Sequence, residues 1–532
     1  MKRTQRILLS VFSGLLLSLP WLGLPGWILF FALFPLFILD KYFVENKEQY
    51  PGVSFWGHAF IVTFVWNGVT TWWIAYATFA GALMAIAVNS FVMSLVLWLA
   101  HFARRNLKHA LGYIALAGLW ISFEYFHFHW DIEWPWLTLG NGFANNVKII
   151  QWYEFTGVFG GTLWVLLINI LVLKFFEGIR EKVLSHVIKP AFFILFLIAA
   201  PVLISLKMYN NYKEVNNPKN IILVQPNIDP YLEDYSRKAE NAKLEKFIQL
   251  AGEKANRQTD FIVGPETIVE NYKNWNVDRI QNSQQYKMLK SFQNHYPNTE
   301  LMFGVSSSKI YKEQEASETA RYREGKYFDV FNTAVFLQKS GDYQLYHKSI
   351  LVSGVEKVPF LKYFGFLKNV FIDLGGTSGN LGSQDEPSLF FAKDSTKLAP
   401  VICYESVFGD YLTQFVKKGA ELIFIITNDG WWRNSPGYKQ HFSFARLRAI
   451  ETRRSIARTA NTGISGFINQ RGDVVLHTQW WEPASVAGRL NTNNKITFYV
   501  KYGDFIARIF LFVSILLLMQ LLAAGLQKKK IF

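Results

Sequence analysis

The sequence predicts a bundle of membrane-spanning helices joined to a layered α/β domain. Half of the 532 residues are hydrophobic and 17% are aromatic, an unusual share for a soluble enzyme. The apolar residues gather in long blocks towards the two ends of the chain. Between them, residues 217–500 have ordinary globular composition and alternate apolar strand-like runs with charged helical ones.

About 20 mainly apolar residues cross a bilayer. Blocks of that kind lie near 6–23, 25–40, 57–78, 81–102, 110–126, 158–178 and 189–206, and again at 504–526, which predicts eight spans. Lys2, Arg3 and Arg6 precede the first block, as in a cleaved signal peptide. Further spans follow directly, which favours a retained anchor. The domain boundaries expected from this are 1–210, 217–500 and 504–532.

Short loops rich in Lys and Arg stay cytoplasmic. The basic N-terminus, "HFARRNLKHA" with Arg104, Arg105 and Lys108, "KFFEGIREKVLSHVIK" and the final "GLQKKKIF" all fall on one side if eight spans are present. Both termini are then expected in the cytoplasm and the central domain outside it. The net charge of +15 reads as a topology marker, since no basic stripe with interleaved aromatics points to nucleic acid. Positive charge on the central domain would favour anionic lipid head groups.

Within the central domain, "NIILVQPNI" reads as a buried strand and "YSRKAENAKLEKFIQLAGEKANRQ" as a helix. "TDFIVGPET" is a strand, "NSQQYKMLKSFQNHY" a helix and "ELMFGVSSSKI" a strand. "DVFNTAVFLQKSGDYQLYHK" predicts a hairpin turning at Gly341-Asp342. Then come "KLAPVICYES" as strand and turn, "GDYLTQFVKKGA" as helix, "ELIFIITNDG" as strand and "QHFSFARLRAIETRRSIARTA" as one long helix. "TGISGFINQRGDVVLHTQ" closes the series as a hairpin turning at Arg471-Gly472-Asp473.

Polar groups stand where three of these strands end: Glu266 in "IVGPET", Lys348 in "LYHKSI" and Cys403 in "VICYES". Sites in α/β domains are usually built at such ends. Cys403 is the only cysteine, so an intramolecular disulfide is excluded. The count alone leaves two readings, a small buried hydrophobe or a reactive thiol. A thiol nucleophile needs a base and a positive or N–H-rich surround for developing charge. A carboxylate and an ammonium supply these, although Glu266 or Lys348 taken singly reads equally as a solvated strand-end charge.

The wording around these residues decides more. "GPE", "HKSILVSGVEKVPF", "CYES", "TNDGWW" and "RTANTGISGFI" occur in an order and spacing that resembles the nitrilase, or carbon–nitrogen hydrolase, superfamily. Joined to membrane spans, and with "EWPWLTLGN" and "IIQWYEFTGVFGGTLWVLLINILV" in the apolar part, the chain resembles that superfamily's apolipoprotein N-acyltransferase branch. The resemblance implies an αββα sandwich with Glu266 as general base, Lys348 stabilising the tetrahedral intermediate and Cys403 forming an acyl-thioester. It also implies that Glu356 orients the lysine or supports the base, and that Tyr404 and Glu405 are the pair following the nucleophile, Tyr404 acting through its backbone N–H.

The implied reaction moves a fatty acyl group from a phospholipid, typically sn-1 of phosphatidylethanolamine, to the thiol. The group then passes to the α-amino group of the diacylglyceryl-cysteine that begins an apolipoprotein. The implied location is the bacterial inner membrane, and a monomer is expected. Two alternatives stand beside it: a membrane-tethered amidase or nitrilase, and a non-catalytic scaffold that binds lipoproteins.

The aromatic stretch 358–376 reads as a lid or membrane-dipping arm, and the loop 126–146 as a segment at the outer interface. His127 and His129 lack the further ligands of a zinc site, and no Walker A loop or G-x-S-x-G elbow is present, so neither metal nor cofactor is expected. Pro226 replaces a glycine frequent in the family, and Tyr235 stands near where some relatives carry a tryptophan.

Overall fold

The structure is a computed structural model and describes residues 1–232, 236–271, 273, 275–360 and 380–529. The chain forms two compact units, one of Met1–Ala75, Phe79–Asn211 and Tyr502–Phe532, the other of Tyr76–Thr78 and Tyr212–Lys501.

The first unit is helical: α1 (Arg3–Ser18), α2 (Phe34–Glu45), α3 (Val53–Thr71), α4 (Phe79–Asn106), α5 (His109–His127), α6 (Tyr153–Glu181), α7 (Leu184–Asn211) and α12 (Phe505–Lys529). Each of the eight predicted spans coincides in large part with helix. Among the described residues, six helical segments are long and apolar enough to cross a membrane: Arg3–Leu22, Gly26–Glu45, Phe79–Asn106, Tyr153–Glu181, Leu184–Asn211 and Phe505–Ala523. The other two, α3 and α5, are 19 residues each and carry more polar side chains.

Those side chains bond helix to helix. Asn89 Nδ2 donates to Asn67 Oδ1 at 2.6 Å, and His127 Nε2 lies 2.7 Å from Asn89 Oδ1. Glu124 accepts from Trp120 Nε1, Leu139 N and Thr162 Oγ1 at 2.9, 2.8 and 2.6 Å. In an apolar surround such groups must find partners within the protein. By contrast, α7 exposes Leu195, Leu203 and Phe192, an apolar face suited to lipid rather than water. The loop 126–146 is more deeply packed than an interfacial segment needs to be: Trp136, Leu137, Leu139 and Phe143 are buried, and Trp21 Nε1 donates to Trp136 O at 3.1 Å.

The second unit contains two sheets. One has the order β13-β1-β2-β3-β5-β4, with β6 also paired to β5; the other runs β12-β11-β10-β9-β8-β7. The strands are β1 (Pro218–Gln225), β2 (Phe261–Val263), β3 (Glu300–Tyr311), β4 (Arg321–Arg323), β5 (Lys326–Leu337), β6 (Tyr343–His347), β7 (Phe390–Phe391), β8 (Lys397–Ile402), β9 (Leu422–Thr427), β10 (Ser455–Ala460), β11 (Gly466–Ile468), β12 (Val474–His477) and β13 (Ala484–Asn491). The central strands of each sheet pair in parallel.

Facing rings join the two sheets, Phe261 with Phe424 at 5.5 Å and Phe336 with Phe390 at 5.4 Å. Outside the first sheet lie α8 (Arg237–Gly252) and α9 (Gln284–Gln293), with Leu244, Phe247, Leu289 and Phe292 against Ile222, Val224 and Phe303. Outside the second lie α10 (Gly409–Lys417) and α11 (Pro436–Thr452). Helices on both outer faces bury both faces of each sheet, which is why β2 and β9 are buried along their whole length and apolar up to Thr427 at the end of β9. Ser236, Ser283 and Ser435 cap α8, α9 and α11 through their side-chain oxygens.

The long helix expected over 440–460 is corrected. α11 ends at Thr452, where Arg453 takes φ +49°, and Ser455–Ala460 pairs in parallel with β9 as β10. Helical periodicity up to Thr452 masked a strand whose pairing is entirely tertiary. The hairpin β5–β6 has the expected turn, with Leu337 opposite Tyr343. The arm 358–376 falls mostly, and Tyr235 wholly, outside the described residues.

Candidate active site

Four strand ends from both sheets supply the site. Glu266 follows β2, Lys348 follows β6, Cys403 follows β8 and Thr427 ends β9. Close packing sets the first of these. A Cβ on Gly304 of β3 would lie 2.7 Å from Glu266 Cα and 2.8 Å from Thr267 N, so only glycine admits the turn that carries Glu266. Gly304 N donates to Pro265 O at 2.9 Å, and Ile268 N to Gly304 O at 2.8 Å, fixing the turn from both sides.

The predicted residues Glu266, Lys348 and Glu356 are brought together. Lys348 Nζ lies 2.9 and 2.8 Å from the two Glu356 oxygens and 3.6 Å from Glu266 Oε1. Lys348 is almost wholly buried. Burial pulls its ammonium down, but the charges of Glu356, Glu266 and Cys403 outweigh this and hold it well above the ordinary lysine range. Glu356 closes its own turn by accepting from Val352 N at 2.8 Å.

One residue that sequence reasoning missed ties the carboxylates together. Asn332 Nδ2 donates to Glu266 Oε1 at 2.6 Å and to Glu356 Oε1 at 3.2 Å. Its place follows from the hairpin: Thr333 pairs with His347, and Lys348 N donates to Asn332 O at 2.9 Å, so Asn332 and Lys348 are cross-strand neighbours. The second oxygen of Glu266 accepts from Asn428 N at 3.0 Å.

Cys403 begins a short 3-10 turn, Cys403–Val407, with φ +50°, a conformation unusual for a side chain with a Cβ. It is partly exposed. Burial first, then the charges of Glu266 and Asp429, push its thiol well above the ordinary range, against the opposing pull of Lys348 and Thr427. Thr427 Oγ1 lies 3.2 Å from Sγ. Cys403 O accepts from Ser406 Oγ at 2.7 Å, and His441 Nε2 lies 3.2 Å from it. Further support comes from α11, whose Arg448 Nη1 donates to Val407 O at 2.7 Å while Nε pairs with Glu451 at 2.8 Å.

The side chains of Glu405 and Tyr404 bond and pack away from the thiol. Tyr404 is buried edge-on to Phe408, their centroids 5.2 Å apart. Glu405 is buried and joins the nucleophile turn to the lysine loop: Oε2 accepts from Ile402 N at 2.8 Å, and Oε1 from Ser349 N and the Tyr346 hydroxyl at 2.7 and 2.6 Å. Burial lifts its carboxyl to about 7 in spite of these donors and of Lys348. His127 and His129 are elsewhere. His129 is exposed, with Nδ1 2.8 Å from Tyr125 O, and among the described residues no group of three or more His, Cys, Asp or Glu is arranged to hold a metal.

A family profile described as carbon-nitrogen hydrolase matches residues 221–491, half of the chain. The chain belongs to the carbon–nitrogen hydrolase family. A second profile, described as apolipoprotein N-acyltransferase N-terminal domain, matches residues 13–171. An apolipoprotein N-acyltransferase of Chlorobaculum tepidum is 28% identical over 523 residues, covering 95% of this chain and 94% of its own. One of Geobacter metallireducens is 24% identical over 518 residues, covering 94% of this chain and 92% of its own. Among solved structures, an amidase from Nesterenkonia sp. covers 56% of this chain and 99% of its own at 13% identity and a TM-score of 0.37.

Proposed function

We propose that the protein is an N-acyltransferase that carries a fatty acyl group on Cys403 from a phospholipid, typically sn-1 of phosphatidylethanolamine, to the α-amino group of an apolipoprotein's diacylglyceryl-cysteine. The observation that carries this reading is the meeting of Glu266, Lys348 and the only thiol at strand ends of both sheets, in a chain whose described residues include six membrane-length helices. Its relatives' names support the same assignment.

The raised thiol makes Cys403 neutral at rest, so a base must act as the bond forms. Glu266 takes the proton while Sγ adds to the ester carbonyl. The oxyanion develops within the field of the Lys348 ammonium, with the Tyr404 backbone N–H as second donor. Collapse breaks the ester C–O bond, and Glu266 returns the proton to the departing glycerol oxygen. In the second half the amine adds to the thioester, Glu266 takes its proton, the C–S bond breaks and the sulfur is reprotonated. Glu356 and Asn332 hold Lys348 and Glu266 in place throughout.

The same reading puts both substrates at a bilayer, with the catalytic domain outside the cytoplasm of a bacterial inner membrane, as the basic loops direct. The test is the intact mass of the purified protein after incubation with phosphatidylethanolamine. A hydroxylamine-labile gain of one acyl group on the wild type, absent from Cys403→Ala, is expected. No adduct with accessible lipid would overturn the reading in favour of a tethered amidase or a scaffold.

A further inference from the structure

Behind Cys403 the hydrogen atoms do not match the acceptors. Thr427 Oγ1 lies 3.2 Å from Cys403 Sγ and 3.1 Å from Asp429 Oδ1. A hydroxyl has one proton to give, so it cannot serve both at full strength. A neutral thiol is a weak acceptor, whereas a thiolate is a charged one and draws the stronger bond.

Asp429 does not depend on Thr427. It is fully buried and accepts from Arg458 Nη2 at 2.8 and 3.2 Å, with His441 Nδ1 3.0 Å away. The other nitrogen of His441 faces Cys403 O and Ser406 Oγ at 3.2 and 3.0 Å. Sulfur, hydroxyl, carboxylate, imidazole and the nucleophile's own carbonyl thus close a ring. Thr427 is buried in that ring at the end of β9, where strand pairing fixes its backbone and its β-branched side chain has few rotamers.

We propose that Thr427 is a catalytic hydrogen-bond donor whose hydroxyl turns between two acceptors, Asp429 while Cys403 is a thiol and Sγ whenever the sulfur carries charge. The proposal rests on the reading of Cys403 as nucleophile. The switch needs only rotation of an O–H bond, with no heavy-atom movement and no proton transfer. Arg458 keeps Asp429 compensated when the hydroxyl leaves it. The donor serves twice in each cycle: when Glu266 removes the thiol proton, and when the C–S bond of the thioester breaks and its electron pair returns to sulfur. Lys348 acts on the same sulfur through its charge, while its ammonium is shared with Glu356.

The test follows alkylation of the single cysteine by iodoacetamide against pH, in the full-length protein, for wild type, Thr427→Val, Thr427→Ala and Thr427→Ser. The charged and titratable groups facing the thiol are Glu266 after β2, Lys348 after β6 and Asp429 after β9, with His441 of α11 on Cys403 O; none is altered in these variants. Losing a hydrogen bond to a charged acceptor lowers the thiolate fraction at fixed pH about tenfold. A more basic thiolate is also a better nucleophile, so alkylation slows about threefold, with the rising limb displaced to higher pH.

Thr427→Val and Thr427→Ala are both expected to show this, and Thr427→Ser to follow the wild type. The Ala variant keeps the test open if Val does not fold. Wild-type titration in the folded hydroxyl-free variants would overturn the proposal, as would an equal displacement in Thr427→Ser. The displacement seen in a protein that forms no acyl adduct would support the donor assignment and overturn the acyltransferase reading separately.

Discussion

Replacing Asn332 tests the geometry of the site most directly. Its one NH2 group donates at 2.6 Å to Glu266 and at 3.2 Å to Glu356, and only the first of these touches the proposed base. Asn332→Leu keeps most of the volume and removes both donors. A hydrogen bond to a charged group is worth about 1.5–3 kcal/mol. At about 1.4 kcal/mol per decade, losing the Glu266 bond slows thioester formation by one to two decades if it positions the base in the transition state. Asn332→Asp should be worse, because it sets a third carboxylate where Lys348 already faces two. The assay is the rate of acyl adduct formation by intact mass under single-turnover conditions, with a thermal melt of each variant as a folding control. A folded Asn332→Leu protein that acylates at the wild-type rate would refute the view that this amide sets the base.

Lys348→Met leaves two buried carboxylates without their cation, and is expected to cost about 3–5 kcal/mol of stability and all measurable acylation. Adding Glu356→Leu should restore part of the melting temperature and none of the activity; recovery of activity would show that the ammonium is dispensable. Gly304→Ala forces a Cβ to within 2.7 Å of Glu266 Cα, and should cost about 1–3 kcal/mol and slow acylation at least about tenfold. Wild-type behaviour in both would mean that the turn gives way freely. Burial, helped by the charge of Lys309, lowers His347 from 6.5 to about 4, so the folded protein favours the neutral ring. That contribution is complete above pH 6.5 and is lost as pH falls towards 4, about 3 kcal/mol in all. Denaturant melts of His347→Gln from pH 7.5 to 4.5 should lack that component of the acid slope, and an unchanged slope would place its origin elsewhere.

The strand ends that carry Glu266 and Cys403 were legible because each closes an apolar run that is almost wholly buried, whereas Lys348 follows the half-buried Tyr343–His347 and stood out by the wording around it. A polar residue there breaks a pattern that composition alone makes visible. Asn332 was hidden inside "DVFNTAVFL", where an amide reads as an accident within a strand. Counting back from the turn at Gly341-Asp342 would have set it beside Lys348, since the hairpin register is local. Thr427 and His441 had no such route, because their meeting with Cys403 depends on packing between β9, α11 and the nucleophile turn. β10 was lost for a related reason: nothing in Arg453 announces the positive φ with which the chain leaves α11. The polar helices α3 and α5 show the converse, since Asn67, Glu124 and His127 weaken the apolar signature of segments they hold together from inside.

α11 buries His441, Arg448 and Glu451 as fully as Leu447 and Ile450, and two of the three reach the nucleophile turn. Contacts between methyl groups set a distance and tolerate rotation, whereas hydrogen bonds and ion pairs also set an angle. The turn is therefore aimed as well as packed. A change of a few degrees in the tilt of α11 would turn the sulfur away from its partners even with both sheets fully paired.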